Sequence, residues 1–347
     1  MELQIRQVNP QDKTRWNQYI QQHPKATAYH NYAWVESVEQ AYGHQNCSLI
    51  ALLQDKVVGV LPIIKMQKPF TGNYLCSLPY CDIGHLLADS PQYEGALLEQ
   101  LQRLAEQQKI SNIQYRDSGS EVVTTEALSG KKVRMLLALP ENAEQLMASF
   151  KSKLRSQIRK AEKNGLHYQL GNSAELLDAF YHVMTHNMRK LGSPVHSKAW
   201  FQALRENYQD DLLISVVYTE QTPIGAGIIL RNSSKACIPW ASTLAEYNRL
   251  APNMLLYWSL LQQLADSGVT EFDFGRSTYG EGTFKFKRQW GAQPMPLQWH
   301  LPGQAIEDET TQGGDSLVKR IVIQTWSKLP IGVTTSLGPR IRKYISL

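Results

Sequence analysis

At 347 residues the chain is long enough for two domains, each able to bury a core of its own. Hydrophobic residues make up 42% and charged residues 19%, an ordinary globular composition, and the longest apolar run, Val57 to Ile64, is far too short to span a bilayer, which excludes an integral membrane protein. The net charge of +5 is unevenly placed: Ser316 to Leu347 holds six basic residues and no acidic one, while the remainder sums to −1.

The chain opens Met1-Glu2-Leu3-Gln4-Ile5-Arg6, with neither a basic n-region nor an apolar h-region, so a cytoplasmic protein is expected. Next come AYHNYAWVES, in which His30, Tyr32 and Trp34 have the spacing of core aromatics, and PYCDIGHLLAD, in which Asp82, Gly84 and His85 fit a structural turn better than a pocket floor. Cys47, Cys76, Cys81 and Cys237 have no CxxC pairing or matched histidine spacing, so reduced thiols are expected rather than disulfides or structural zinc.

The organising feature is an internal repeat. LQRLAEQQKISNIQYRDS (Leu101–Ser118) aligns with LQQLADSGVTEFDFGRS (Leu261–Ser277) after one gap, each reading as a helix end followed by a strand. Two apolar strand candidates precede each copy: Val57–Lys65 and Tyr74–Leu78 in the first, Ile224–Leu230 and Ala236–Ser242 in the second. A unit of strand, strand, loop, helix and strand, repeated about 160 residues apart, implies a duplicated α/β (α+β) fold with its boundary near Pro140.

Asn142–Gly165 is expected to be one long helix opening the second half. Phe150, Leu154, Ile158 and Ala161 form its apolar stripe, and Lys151, Arg155, Arg159 and Lys163 recur every four residues as a cationic ridge suited to phosphate groups. Gly165 is the expected stop. His182 and His186 lie four apart, but no HExxH glutamate and no third ligand accompany them, so no metal site is assigned.

In Phe272–Ala292, FDFGRSTYGEGTFKFKRQWGA, Phe272 and Phe274 alternate with Asp273 on a strand that is expected to end at Gly275, presenting Arg276 and Ser277, followed by Tyr279, at the mouth of a sheet, where α/β folds bind ligands. Phe284 and Phe286 then alternate with Lys285 and Lys287, which a strand would place together on one surface. A lysine there suits an anionic substrate or a developing oxyanion. Gly303–Asp315 reads as a linker. In the tail, residues 316–347, Leu317, Val318, Ile321, Val322, Trp326 and Leu329 form a helical apolar stripe beside Lys319, Arg320 and Lys328, a pattern fit for an anionic membrane surface or for docking on the protein's own body.

Taken together, FKSKLRSQIRKAEKNG, HNMRKLGSP and FDFGRSTYGEGTFKFKRQWGA resemble the FemAB/FemX-like branch of the GNAT acyltransferase superfamily over about residues 1–302, in particular the FemAB-related proteins of exosortase (PEP-CTERM) and exopolysaccharide gene clusters. The resemblance implies two tandem GNAT-like domains, 1–145 and 146–302, each a mixed sheet flanked by helices, then a linker at 303–315 and the basic amphipathic tail. It implies N-acyl or aminoacyl transfer to an amine of a cell-envelope or exopolysaccharide precursor, with no permanently bound cofactor and acyl-CoA or aminoacyl-tRNA as donor. The acceptor would be a phosphate-bearing or lipid-linked saccharide or peptide, met in the cytoplasm or on the inner face of the membrane.

The family's FK lysine maps onto Lys287, with Lys285 its neighbour. Lys287 or Arg276 would stabilise the oxyanion, and Asp273 or a water would take the proton. Arg155 and Arg159 are counterparts by location for residues holding acceptor phosphates, and Ser277 and Tyr279 complete the substrate-binding set. The loop Glu246–Asn253, where a duplicated acyltransferase would hold a cofactor pyrophosphate, departs from the pattern: it has a proline and no glycine, which leans away from CoA, although Arg249 can compensate through its side chain. The contrasting reading is a noncatalytic protein on the same fold whose basic helix holds RNA or an anionic polysaccharide.

Overall fold

The computed structural model describes residues 2–69, 72–118, 128–299 and 317–347, without the side chains of 317–319. The described residues form two compact units, one from residues 2–118, 296–299 and 343–347 and the other from 128–295 and 317–342.

The first unit runs β1 (Leu3–Gln7), α1 (Lys13–Gln22), α2 (Tyr32–Tyr42), β2 (Gln45–Asn46), β3 (Leu49–Leu53), β4 (Lys56–Leu61), β5 (Ile64–Met66), β6 (Tyr74–Cys76), β7 (Leu87–Ala88), α3 (Pro91–Gln107), β8 (Ile113–Gln114) and β9 (Asp117–Ser118). Its strands pair in the orders β1-β3-β4-β7 and β2-β5-β6-β8. Leu97, Leu101 and Leu104, one face of α3 at helical spacing, are buried with Leu49, Ala51, Val58 and Leu61 from the strands. Pro62 and Ile63 break the expected strand Val57–Lys65 into β4 and β5, since proline has no N–H to give to a ladder.

The second unit runs β10 (Lys132–Ala138), α4 (Ala143–Ser149), α5 (Ser152–Lys163), β11 (Leu166–Gly171), α6 (Ala174–Lys190), α7 (Lys198–Tyr208), β12 (Leu212–Thr219), β13 (Thr222–Asn232), β14 (Lys235–Thr243), α8 (Pro252–Asp266), β15 (Glu271–Thr278), α9 (Gly282–Gln289), the start of β16 (Gln293–Gln298), α10 (Leu317–Lys328) and α11 (Ile331–Arg342). β11 through β15 pair in sequence order, and β10 pairs antiparallel with β15. Helices cover both faces of this sheet. Ala236 and Ile238 of β14 pack in one core with Leu256 and Leu260 of α8, while Trp240 meets Trp200 and Phe201 of α7, and Ser242 is bonded by Asn187 of α6. A Cβ added at Gly227 of β13 would crowd the Trp240 carbonyl oxygen of β14 at 3.3 Å while meeting Leu256 of α8 at an ordinary 3.6 Å.

Several expectations change. The long helix over 142–165 is two helices, because Phe150 is extended (φ −74°, ψ 145°) between α4 and α5 and turns its ring inward. There it meets Trp258 and Trp290 edge-on at 6.1 and 5.4 Å. Leu154, Ile158 and Ala161 are buried as the stripe predicts, and burying each large one contributes roughly 1.5–3 kcal/mol. The strand expected through Phe284–Lys287 is instead helix α9. Its buried residues Phe284, Lys287 and Trp290 recur every three, the helical period, so Lys285 and Lys287 do not share a face: Lys285 is exposed and Lys287 buried.

The division of the chain also differs from the expected boundary at 145/146. β10 lies in the second unit because it pairs with β15, and residues 343–347 lie in the first. There the Lys343 carbonyl accepts from Tyr80 Oη at 2.6 Å and is 2.8 Å from His44 Nε2. The linker at 303–315 lies outside the described residues. All four cysteines are free and buried. Among the described residues no helix is long and apolar enough to cross a membrane.

Candidate active site

β14 and β15 run parallel but pair only through Lys235–Glu271, Ala236–Phe272 and Cys237–Asp273. Beyond those residues β14 continues to Thr243 beside β13, and β15 continues to Thr278 beside β10. The C-terminal halves of the two strands therefore part, leaving main-chain groups on their facing edges that a substrate in extended form can pair with.

The candidate residues gather on the β15 side of this opening. Gly275 takes a left-handed conformation (φ +73°) in the middle of β15, at the register shift between Arg134 and Leu136 on β10, and glycine adopts it without a Cβ penalty. The kink aims the carbonyls of Gly275 and Arg276 at the Lys287 ammonium, which donates to them at 3.1 and 2.8 Å. Lys287 reaches them from α9 and is only 8% exposed, so its charge acts across a poorly hydrated site where electrostatic interactions are strengthened. Further along β15 the Ser277 hydroxyl is buried and has no hydrogen-bond partner among the described residues. Arg276 is half-buried, and Tyr279 packs on Phe284, with ring centroids 4.5 Å apart.

Asp273 sits next to these residues but is fully committed. One carboxylate oxygen accepts from Arg134 Nε at 2.6 Å and the other from the Gly275 N–H at 2.7 Å, and both side chains of the ion pair are buried. The aspartate ties Arg134 to the kink in β15, and breaking this buried pair would leave a charge without its partner. A proton acceptor at this position would be a carboxylate already paired with Arg134 and the Gly275 N–H. Underneath, the Tyr257 ring stacks on Phe274 at 5.5 Å, and burial pushes its phenol far above the usual tyrosine range.

Other expected residues lie apart from this group. Lys151, Arg159 and Lys163 are exposed and Arg155 is half-buried along α5, which packs on α8 and β11. Arg249 is exposed on a 3-10 turn, Ala245–Leu250, that leads into α8. Asn164 Nδ2 donates to the Leu250 carbonyl at 3.2 Å, so that turn is held against the end of the basic helix. α8 itself begins with Ala251 in the left-handed region and Pro252 in its first turn, so its N-terminus offers one N–H fewer than usual.

Sequence reading missed a basic pocket of about 340 Å³ just past the end of β14. Its walls include His186, Arg189 and Lys190 from the end of α6, with Glu246 the only acidic group among the lining residues. Asn187 Nδ2 donates to Ser242 Oγ at 3.1 Å, and Arg189 Nε to the Leu329 carbonyl at 2.7 Å. The signal available in sequence was the run His186-Asn187-Met188-Arg189-Lys190, whose cations close a helix as the macrodipole favours; what it faces is a tertiary matter. In the first unit, His85 Nδ1 and Asp117 Oδ1 come within 3.6 Å. His30, Tyr32 and Trp34 are buried core residues. The rings of His182 and His186 lie 4.2 Å apart and tilted by 42°, and the His186 ring Nδ1 is 2.8 Å from the His182 carbonyl.

Residues 148–288, which contain this opening, α9 and the basic pocket's α6 wall, match the acetyltransferase (GNAT) domain family. No curated protein sequence matches the chain. Among solved structures, FemX aligns over 86% of this chain and 96% of its own at 14% identity and a TM-score of 0.68. A tandem GNAT protein from the clavulanic acid biosynthesis pathway aligns over 88% of this chain and 100% of its own, at 10% identity and a TM-score of 0.54. The C-terminal domain (DUF2156) of a protein assigned as a lysylphosphatidylglycerol synthetase in Agrobacterium fabrum aligns over 85% and 93%, at 11% identity and a TM-score of 0.54. These likenesses establish a FemX-like, tandem GNAT fold.

Proposed function

We propose that the protein is an N-acyl or aminoacyl transferase that acts on an amine of a phosphate-bearing cell-envelope precursor. The observation that carries this reading is the Lys287 ammonium, buried and docked on the carbonyls of Gly275 and Arg276 where β14 and β15 part. The GNAT match over residues 148–288 and the FemX-like fold support it, and the neighbour assigned as a lysylphosphatidylglycerol synthetase is named for an aminoacylated envelope lipid.

In this reading the donor's acyl group lies in the opening with its carbonyl toward Lys287 and Arg276. The acceptor amine, neutral when it reacts, forms the new C–N bond. The carbonyl π electrons move onto oxygen, and the two cations hold the resulting oxyanion, an effect on the order of 10²–10³ in rate for one well-placed donor. As the tetrahedral centre collapses, the bond to the donor's sulfur or ester oxygen breaks. Water accepts the ammonium proton, because Asp273 is buried in an ion pair with Arg134, and the leaving group is protonated from solvent. Ser277 positions the reacting groups, and holding two substrates in line supplies roughly 7–11 kcal/mol of the barrier reduction.

The pocket of His186, Arg189 and Lys190 suits acceptor phosphate, with the exposed cations of α5 as an outer field. For the donor, the GNAT match favours acyl-CoA, whereas the proline-headed, glycine-free start of α8 favours a donor that does not need a tight pyrophosphate cradle, such as aminoacyl-tRNA.

Mass spectrometry of the purified protein with an envelope-precursor extract, once with mixed acyl-CoAs and once with charged total tRNA, tests the reading. A mass shift on a precursor in one arm names the donor, and Lys287→Ala abolishes it while the protein stays folded. Turnover by Lys287→Ala at the wild-type rate removes this lysine from the site. Silence of the folded wild-type protein in both arms raises an anionic-polymer binder, whose affinity falls steeply with salt, to at least equal standing.

A further inference from the structure

The described residues leave eight large apolar side chains exposed, and six of them belong to α10 and α11: Ile321, Val322, Ile323, Val333, Leu337 and Ile341. A seventh, Leu191 at 58% exposure, adjoins Gly192, where an added Cβ would lie 2.5 Å from Ile323, so it stands beside α10. Docking on the body accounts for the opposite side of the pair. Both helices pack on α6; in α11 the buried residues are Thr334 and Gly338, four apart, and Gly338 lies close against Val195, whose backbone nitrogen would be 3.1 Å from an added Cβ. On the outward side Val333, Leu337 and Ile341 recur every four residues as a continuous stripe. Val322 and Ile321 are 56% and 52% exposed, more than any stripe buried on the body would be.

Exposed Arg320, Lys328 and Arg340 flank these side chains, and no acidic residue occurs from Ser316 to the C-terminus. Charge selects among the possible occupants. A second copy docked by two-fold symmetry would set this basic face against itself, which like-charge repulsion opposes. An anionic lipid surface complements the cations and also accepts the apolar stripe between headgroups. At 12 residues each, the two helices are about 18 Å long, too short to cross the roughly 30 Å hydrocarbon core, so they would lie in the interface plane.

We propose that the outward face of α10 and α11, together with Leu191, binds anionic phospholipid membranes, holding the protein at a bilayer surface. This inference does not depend on the transferase reading. The test uses the full chain and co-sedimentation with phosphatidylcholine vesicles, with and without phosphatidylglycerol, at low and high salt. The wild-type protein is expected to sediment with the phosphatidylglycerol vesicles at low salt and to be released by high salt. Two variants are expected to lose about tenfold or more in affinity: Val322→Glu/Leu337→Glu/Ile341→Glu and Arg320→Glu/Lys328→Glu/Arg340→Glu. All six positions are exposed, so both variants should keep the wild-type circular dichroism spectrum.

The proposal is overturned if the wild-type protein ignores the anionic vesicles, if it binds phosphatidylcholine alone equally well, or if either variant binds like wild type. Sedimentation velocity covers the remaining occupant: a wild-type dimer that the apolar variant splits, with no vesicle binding, would identify the face as a subunit interface and likewise overturn the proposal.

Discussion

The two halves of the repeat build the same corner of the fold and fill it differently. In the first unit β6 and β8 run parallel through Leu75–Ile113 and Cys76–Gln114, as β14 and β15 do through Ala236–Phe272 and Cys237–Asp273 in the second. Past those pairs the aligned positions are Arg116 and Gly275. The Arg116 guanidinium is buried and donates to the carbonyls of Leu78, Cys81 and Ser346 at 2.8, 2.7 and 3.0 Å, stitching the parting strands shut with the protein's own chain. Gly275 has no side chain to do this, and in its place an ammonium arrives from another helix to rest on the glycine's carbonyl. One duplicated corner has thus become a structural plug and the other an opening with a positioned cation. A buried cation bonded to its own chain's carbonyls serves stability, while one set at the mouth of unpaired strands can serve chemistry.

The largest expected effect tests that contrast directly. Lys287→Met, which keeps the buried volume, should lower turnover by about 10²–10³, an effect well beyond its cost in thermal midpoint, whereas Arg116→Met should act on stability, leaving the Cys81 carbonyl without a donor and those of Leu78 and Ser346 with one fewer, at about 1–3 kcal/mol. Loss of turnover in Arg116→Met at unchanged stability would show that the first corner is not merely a plug. Next, Asp273→Asn should destabilise by about 3–5 kcal/mol in denaturant titration, since it strips the buried Arg134 of its countercharge. Arg134→Met combined with Asp273→Leu should recover much of that loss, but not the turnover that depends on the kink.

Gly275→Ala should cost roughly 1–2 kcal/mol through its left-handed backbone and also reduce turnover by shifting the carbonyl that holds Lys287. A variant as active as wild type would separate the kink from the chemistry.

The smallest effect concerns pH. Burial, helped by the charge of Arg342, holds His196 in the second unit well below the usual histidine range, and burial also lowers His44 in the first. Both are neutral in the fold and take up protons more readily once unfolded, so stability is complete above about pH 6.5 and falls as pH drops toward the folded values. His196→Phe should flatten the fall in stability between pH 7 and pH 5.5 in urea melts. An unchanged slope would assign the acid sensitivity elsewhere.

Much of the fold was legible because its signals are periodic or repeated. The alignment of Leu101–Ser118 with Leu261–Ser277 anticipated the parallel strand in each unit, and the stripe Leu154, Ile158 and Ala161 anticipated the buried face of α5. Where the sequence misled, two periods competed over a short stretch. Phe284-Lys285-Phe286-Lys287 alternates as a strand does, yet Phe284, Lys287 and Trp290 also fit a helix, and burial of Trp290 against Phe150 decides between them. For the site, sequence singled out Lys287, Arg276 and Ser277, which the fold does bring together, but it could not tell the roles of neighbours apart. Asp273 reads as an available carboxylate until Arg134, 139 residues away, is seen to occupy it.

By itself, then, the sequence determined the duplicated α/β pattern, the amphipathic faces and the residue types at the site, because propensity and hydrophobic period act over a few neighbouring residues. Tertiary structure alone decided which cations are buried against carbonyls, which carboxylate is neutralised and which apolar stripe remains exposed. Those outcomes depend on groups far apart in the chain, whose desolvation and pairing energies exist only once the strands and helices have packed.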